Sequence, residues 1–66
     1  MTIVKIIDVI SEGKSVDEAI KNAVKEAAKT VKMIQQVNVE HIYGIVDNDE
    51  VTKYRVHCKL SFIVEN

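Results

Sequence analysis

The sequence predicts an α+β fold: a β-α-β-β chain whose three-stranded antiparallel sheet, in the order 1-3-2, packs on one helix. Three stretches carry that expectation. From Ile34 to Val64 the chain reads IQQVNVEHIYGIV, DNDE, VTKYRVHCKLSFIV, two alternating arms about a polar turn. Such period-2 alternation marks strands buried on one face only. Before the hairpin, apolar residues recur at helical spacing from Val16 to Val31, and before those stands a short run rich in β-branched residues. The first half of the chain supplies the cover for the apolar face of the second.

Thr2 to Ile10 reads as strand one. Val4, Ile6 and Ile10 share one face with Asp8; Ile3, Ile7 and Val9 share the other with Lys5. Both faces are mainly apolar, which predicts burial on both sides and, in so short a chain, contact with another subunit. Ser11–Lys14 reads as the turn, with Gly13 supplying conformational freedom. Ser15 followed three residues later by Glu18 forms a capping box, and Asp17 adds negative charge at the positive end of the helix dipole. The spacing predicts a helix from there to about Lys32, with apolar residues at Val16, Ala19, Ile20, Ala23, Val24, Ala27, Ala28 and Val31. A stripe of Ala and Val lets such a helix lie close to the sheet.

A two-residue tip at Asn48-Asp49, or an Asp47–Glu50 loop, sets one register for the hairpin. On the apolar face Val37 is expected opposite Leu60, Val39 opposite Cys58, His41 opposite Val56 and Tyr43 opposite Tyr54, extended by Phe62 and Val64. On the other face Gln36 is expected with Ser61, Asn38 with Lys59, Glu40 with His57 and Ile42 with Arg55. Each of these pairs has a polar member, and Glu40 would lie between His57 and Lys59. Strand three between the other two makes every pairing antiparallel. The helix covers one sheet face; the other face and the two outer edges stay open.

Size and charge narrow the function. The 66 residues read as one domain, 1–66, of a length that buries only about 60% of its unfolded surface. Short folds gain stability from disulfides, metals or oligomerisation. A single cysteine, Cys58, rules out an internal disulfide and a cysteine zinc site, which leaves oligomerisation. Nine Lys+Arg against ten Asp+Glu do not make the basic surface that nucleic acid or an anionic membrane requires. No apolar run reaches the about 18 residues that span a bilayer, and the apolar N-terminus lacks a basic leader, so a cytoplasmic protein is the expectation.

No nucleotide or catalytic motif is present, and no enzyme activity is expected. Cys58 and His41, on one apolar face in the expected register, offer a nucleophile and base; a buried core cysteine is the simpler reading. The acidic Asp47–Glu50 tip offers oxygen ligands to Ca²⁺ but lacks the spacing and glycine of an EF-hand. No metal ligand set is assigned. The Glu40–His57–Lys59 group reads either as a salt-bridged sheet face or as a ligand or subunit contact.

A strand, an Ala-rich capped helix ending near Lys29-Thr30, and a hairpin closing through Lys53-Tyr54, Val56, Leu60 and Phe62 resemble the dodecin family over nearly the whole chain. Dodecins are β-α-β-β proteins that form hollow homododecamers, and many bind flavins between subunits. The resemblance implies a non-catalytic shell that binds or stores a small ligand. It also locates two departures. The family stacks the flavin ring on a tryptophan in strand two and hydrogen-bonds it with a glutamine in strand three; the matching positions here are Gln36 and Arg55, and the chain has no Trp. Losing that surface costs about 1–3 kcal/mol per ring face by analogy with base stacking. The family's Gly-Thr-Ser turn is Ser11-Glu12-Gly13 here. The chain is thus similar to the branch without the Trp, the calcium dodecins.

The ligand-pocket candidates are Gln36 and Arg55, with Asn38 and His57 on the same face. Arg55 suits an anionic ligand better than a neutral flavin ring. Three readings stay open: a shell for a small ligand with flavin (FMN or riboflavin) binding weakened or lost; a structural or divalent-metal (calcium) assembly with no organic ligand; and a flavin-binding dodecin despite the missing Trp.

Overall fold

The computed structural model describes residues 2–65 as β1 (Thr2–Gly13), α1 (Val16–Ala27), β2 (Ile34–Asp47) and β3 (Glu50–Glu65). The sheet order is β1-β3-β2, with β3 antiparallel to both neighbours. Class, element order and strand order match the sequence reading.

The helix begins as its capping residues dictate. Ser15 is extended (φ −139°), and its Oγ accepts a hydrogen bond from the Glu18 amide at 3.1 Å. That satisfies one of the amides a helix start leaves without a partner. Ala19, Ala23 and Ala27 form one line of small side chains, all buried, against Val56, Cys58 and Leu60 of β3. Alanine at the contact lets the helix backbone approach the sheet closely, as the composition of the stripe implies.

The helix ends at Ala27, not near Lys32. Amides of Lys29 and Thr30 bond to the carbonyls of Glu26 (3.2 Å) and Ala27 (3.1 Å), tightening the last turn. Met33 then takes a left-handed conformation, φ 60°, and the chain reverses into β2. The apolar period runs on through Ala28 and Val31, but tertiary geometry ends the helix sooner, where the return to the sheet begins.

β1 runs three residues past its expected end, pairing through Gly13↔Tyr54. Ser11–Gly13 is therefore strand, not turn. Gly13 has no positive φ, so conformational freedom is not what the position requires. Space is: a Cβ there would stand 2.6 Å from the Ala19 backbone nitrogen and 3.0 Å from its Cα. Glycine lets the first turn of α1 rest on the end of β1.

β1 is also covered on one side only. Its odd members Ile7 and Val9 pack on the core, whereas Val4, Ile6 and Ile10 are 58%, 59% and 65% exposed. The expected burial on both faces is not met within the chain.

In the hairpin the expected register holds near the helix and at the tip. Gln36↔Ser61, Val37↔Leu60, Asn38↔Lys59 and Val39↔Cys58 are as expected, and so is the two-residue tip, where Asn48 and Asp49 have φ 54° and 63°. Both central residues in the left-handed region match the right-handed twist of the strands. Between these regions the pairing slips by one. A shift after Val39 leaves Glu40 unpaired, and a second after Ile45 restores the register. The partners become His41↔His57, Ile42↔Val56, Tyr43↔Arg55 and Gly44↔Tyr54, replacing all four pairings expected for residues 40–43. The gain is physical. Ile42 replaces the imidazole of His41 opposite Val56, and Gly44 replaces a second tyrosine opposite Tyr54.

Candidate functional site

The face of the sheet away from α1 carries the chain's clustered polar chemistry, and strand parity puts it there. On β3 the even residues Val56, Cys58 and Leu60 are fully buried under the helix. Lys53, Arg55, His57, Lys59 and Ser61 therefore point to the open side. β1 contributes Asp8 and Glu12 between its apolar residues; β2 contributes Gln36 and Asn38 and, after the bulge, His41 and Tyr43.

Two carboxylates of β1 organise the row of cations on β3. His57 Nε2 lies 2.9 Å from Asp8 Oδ1, and Lys59 Nζ donates to the same oxygen at 3.1 Å. Glu12 takes Lys53 at 2.9 Å on one oxygen and Arg55 at 2.8 Å (Nε) and 2.6 Å (Nη2) on the other. Hydrogen bonds from His57 and then Lys59 hold the Asp8 carboxyl below the usual carboxylate range; those from Lys53 and then Arg55 do the same for Glu12. Each acid serves two basic groups. Lys53, Arg55 and Lys59 thus face two β1 carboxylates, an excess of one permanent positive charge along this seam.

The carboxylate that lies between His57 and Lys59 is Asp8, not Glu40. The bulge carries Glu40 out of the pairing, where its Oε2 accepts a hydrogen bond from Asn38 Nδ2. Sequence reasoning treated Asp8 only as the polar member of an apolar face. A lone acid among the even residues of an edge strand, opposite a cationic central strand, was the signal that could have found it.

The same bulge moves His41 and Tyr43 off the helix-side face. His41 stacks near His57, with ring centroids 5.8 Å apart at 27°, and Tyr43 lies 6.1 Å from His41. The open face thus holds a row of three aromatic rings beside Arg55. His41 and Cys58 now lie on opposite faces, so the nucleophile–base pairing has no geometry. Burial pushes the Cys58 thiol up, away from the thiolate.

Gln36, Asn38, His57 and Arg55 all lie on the open face, yet one chain does not bring them to one point. Asn38 sits opposite Lys59, two pairs along the ladder from His57. Gln36 is opposite Ser61, about 20 Å along β3 from Arg55 at about 3.3 Å per residue. The two positions meet a common small ligand only if separate copies contribute them. Among the described residues no three His, Cys, Asp or Glu side chains are placed to hold a metal ion, and no helix is long and apolar enough to cross a membrane.

Comparison with known proteins places this architecture. The fold is similar to that of the dodecin from Streptomyces coelicolor, at 26% identity and TM-score 0.92, over 98% of this chain and 94% of that one. It is equally similar to the dodecin from Streptomyces davaonensis (20% identity, TM-score 0.92, 98% and 97% covered). An arginine-to-alanine variant of the Thermus thermophilus dodecin matches over 100% of both chains at 22% identity and TM-score 0.92. No curated protein matches the sequence. The family model described as Dodecin matches residues 3–65. With the β-α-β-β order, the 1-3-2 sheet and the open polar face all in place, the chain belongs to the dodecin family.

Proposed function

We propose that the protein is a non-catalytic, dodecin-type small-ligand binding or storage protein, in which copies of the chain assemble into a hollow homododecameric shell. One observation carries this reading. The open sheet face is apolar along β1, where Val4, Ile6 and Ile10 are more than half exposed, and charged along β3. A second copy lying over it would bury those side chains, at about 25 cal/mol per Å² of apolar surface removed from water. It would also bring Gln36 of one copy toward Arg55 of another, which one chain cannot do.

Flavin is the ligand that family membership suggests, and its two usual contacts are replaced by Gln36 and Arg55. The ring surface this face offers is instead Tyr43, His41 and His57. The extra cation on β3 favours an anionic ligand, although Arg55 is already held by Glu12 and an incoming anion must compete for it. The pocket is therefore assigned to Gln36, Arg55, Asn38 and His57, with flavin retained only weakly.

Light scattering on the purified protein tests the shell: a large multiple of 7.4 kDa is expected, and a monomer at micromolar concentration refutes it. Titration of FMN and of riboflavin, followed by flavin fluorescence, then tests the pocket. The expected result is weak binding with FMN ahead of riboflavin. Tight quenching at sub-micromolar protein by both would overturn the inferred loss of the flavin site.

A further inference from the structure

The bulge that lifts Glu40 out of the pairing sets the chain's two histidines directly opposite one another. His41↔His57 is a cross-strand pair on the open face, and the sequence holds no other histidine. Without the shift His41 would face Val56 on the helix side. Residues opposite each other in an antiparallel pair have Cβ atoms about 4.5–5.5 Å apart, and here the ring centroids are 5.8 Å apart with planes at 27°. His41 is exposed and the His57 side chain is 28% exposed, so solvent reaches both rings.

Asp8 decides which nitrogen of His57 is available. Its Oδ1 lies 2.9 Å from His57 Nε2, and an ionised carboxylate only accepts, so Nε2 carries the proton. The neutral ring then keeps its lone pair on Nδ1. A carboxylate on the far nitrogen of an imidazole is the usual support of a metal-ligating histidine, because it fixes the tautomer and raises the basicity of the other nitrogen. Two imidazoles bound at about 2.0–2.1 Å to one tetrahedral ion place their ring centroids about 5 Å apart. The observed separation is close to that, and rotation about the soft χ2 torsions turns the nitrogens inward.

The surrounding charge admits a cation. Lys53, Arg55 and Lys59 are the permanent positive charges of this face, and Glu12 and Asp8 hold them. Glu40 adds a third carboxylate: it accepts from Asn38 on the same face and, among the described residues, forms no ion pair. Three acids thus balance three bases around the pair. Neutral imidazole suits zinc, nickel and copper, whereas calcium and magnesium take oxygen ligands.

We propose that His41 and His57 chelate a transition-metal cation, Zn²⁺, Ni²⁺ or Cu²⁺, with Asp8 orienting His57 and water completing the coordination. The pair is complete within one chain, so this site stands or falls apart from the shell proposed above.

Calorimetric titration of the full chain with Zn²⁺ and with Ni²⁺ tests this, with circular dichroism as the check that each variant folds. One ion per chain is expected. His41→Gln and His57→Gln should each weaken binding by about ten-fold or more, because the second imidazole binds intramolecularly at high effective concentration. Asp8→Asn should weaken it by about 10- to 100-fold, the usual effect of removing a group that orients a ligating histidine. A large excess of Ca²⁺ should not compete. The parent loaded with Cu²⁺ should show paramagnetic-resonance splitting from both imidazoles, a readout that needs no variant. Parent affinity in either histidine variant, splitting from a single imidazole, or displacement by Ca²⁺ would overturn the site and leave the shell untouched. Parent affinity in Asp8→Asn would overturn the part given to that carboxylate.

Discussion

Replacing Gly13 with alanine is the sharpest test of how the helix is seated. The added Cβ would meet the Ala19 nitrogen at 2.6 Å, with the Ala19 Cα and the Glu18 carbonyl carbon each at 3.0 Å. All three are backbone atoms of the first helical turn, so no side chain can rotate out of the way. Ordinary contact is about 3.4 Å or more, and relief requires α1 to move by most of an ångström. That movement lifts Ala19 and Ala23, both fully buried, from the face of β3. Overpacking of this kind costs about 1–3 kcal/mol. A domain of this length has a total stability of only about 3–10 kcal/mol.

Gly44 provides the control inside the same molecule. Its φ is not positive, and a Cβ there meets only Val51 side-chain carbons at 3.6 and 3.8 Å. Gly44→Ala should be neutral or stabilise by about 0.4–1 kcal/mol, because alanine restricts the unfolded chain. In thermal melts at one fixed protein concentration, Gly13→Ala should lower Tm by about 5–20 °C, taking about 4–8 °C per kcal/mol for this size. Gly44→Ala should leave it unchanged or raise it. Equal melting temperatures for the two variants would refute the steric account of Gly13.

Two further outcomes follow from the titrating groups. Asp8 and Glu12 have carboxyls held below their ordinary values, so the stability they contribute is complete above the unfolded carboxylate pKa of about 4 and is lost as pH falls through the folded value. Asp8→Asn and Glu12→Gln should therefore show a smaller drop in Tm between pH 5 and pH 3 than the parent does; an unchanged drop would mean these pairs do not couple to folding. Cys58 is fully buried with its thiol pushed up, so alkylation of the native protein should be far slower than in denaturant, and fast native labelling would place that side chain outside the core.

Much of the fold was legible in local chemistry. Ser15 and Glu18 announce the helix start because a capping box satisfies amides within four residues, whatever surrounds it. Asn48-Asp49 announces the tip because both types tolerate the left-handed region. Alternation in Val37, Val39, Cys58 and Leu60 defines the buried face because a strand's side chains have a strict period of two. Gln36, Asn38, His57 and Arg55 were placed on the open face by the same rule.

Three features were decided only by tertiary structure. The bulge at Glu40 is one: the run His41-Ile42-Tyr43-Gly44 fits either parity, and the choice depends on what Val56 and Tyr54 can accept across the strand. That choice alone moves Tyr43 and His41 to the open face and separates His41 from Cys58. The second is the partnering of Asp8 and Glu12 with β3, which joins residues more than forty positions apart in sequence and arises only when β1 pairs with the central strand. The third is the end of α1, where an apolar period continues but the helix does not. Sequence by itself determined the elements, their order and the two sheet faces, because these follow from local periods and caps. Tertiary structure decided which side chains share a face at the bulge and which charges meet, because those depend on contacts between strands that no local pattern encodes.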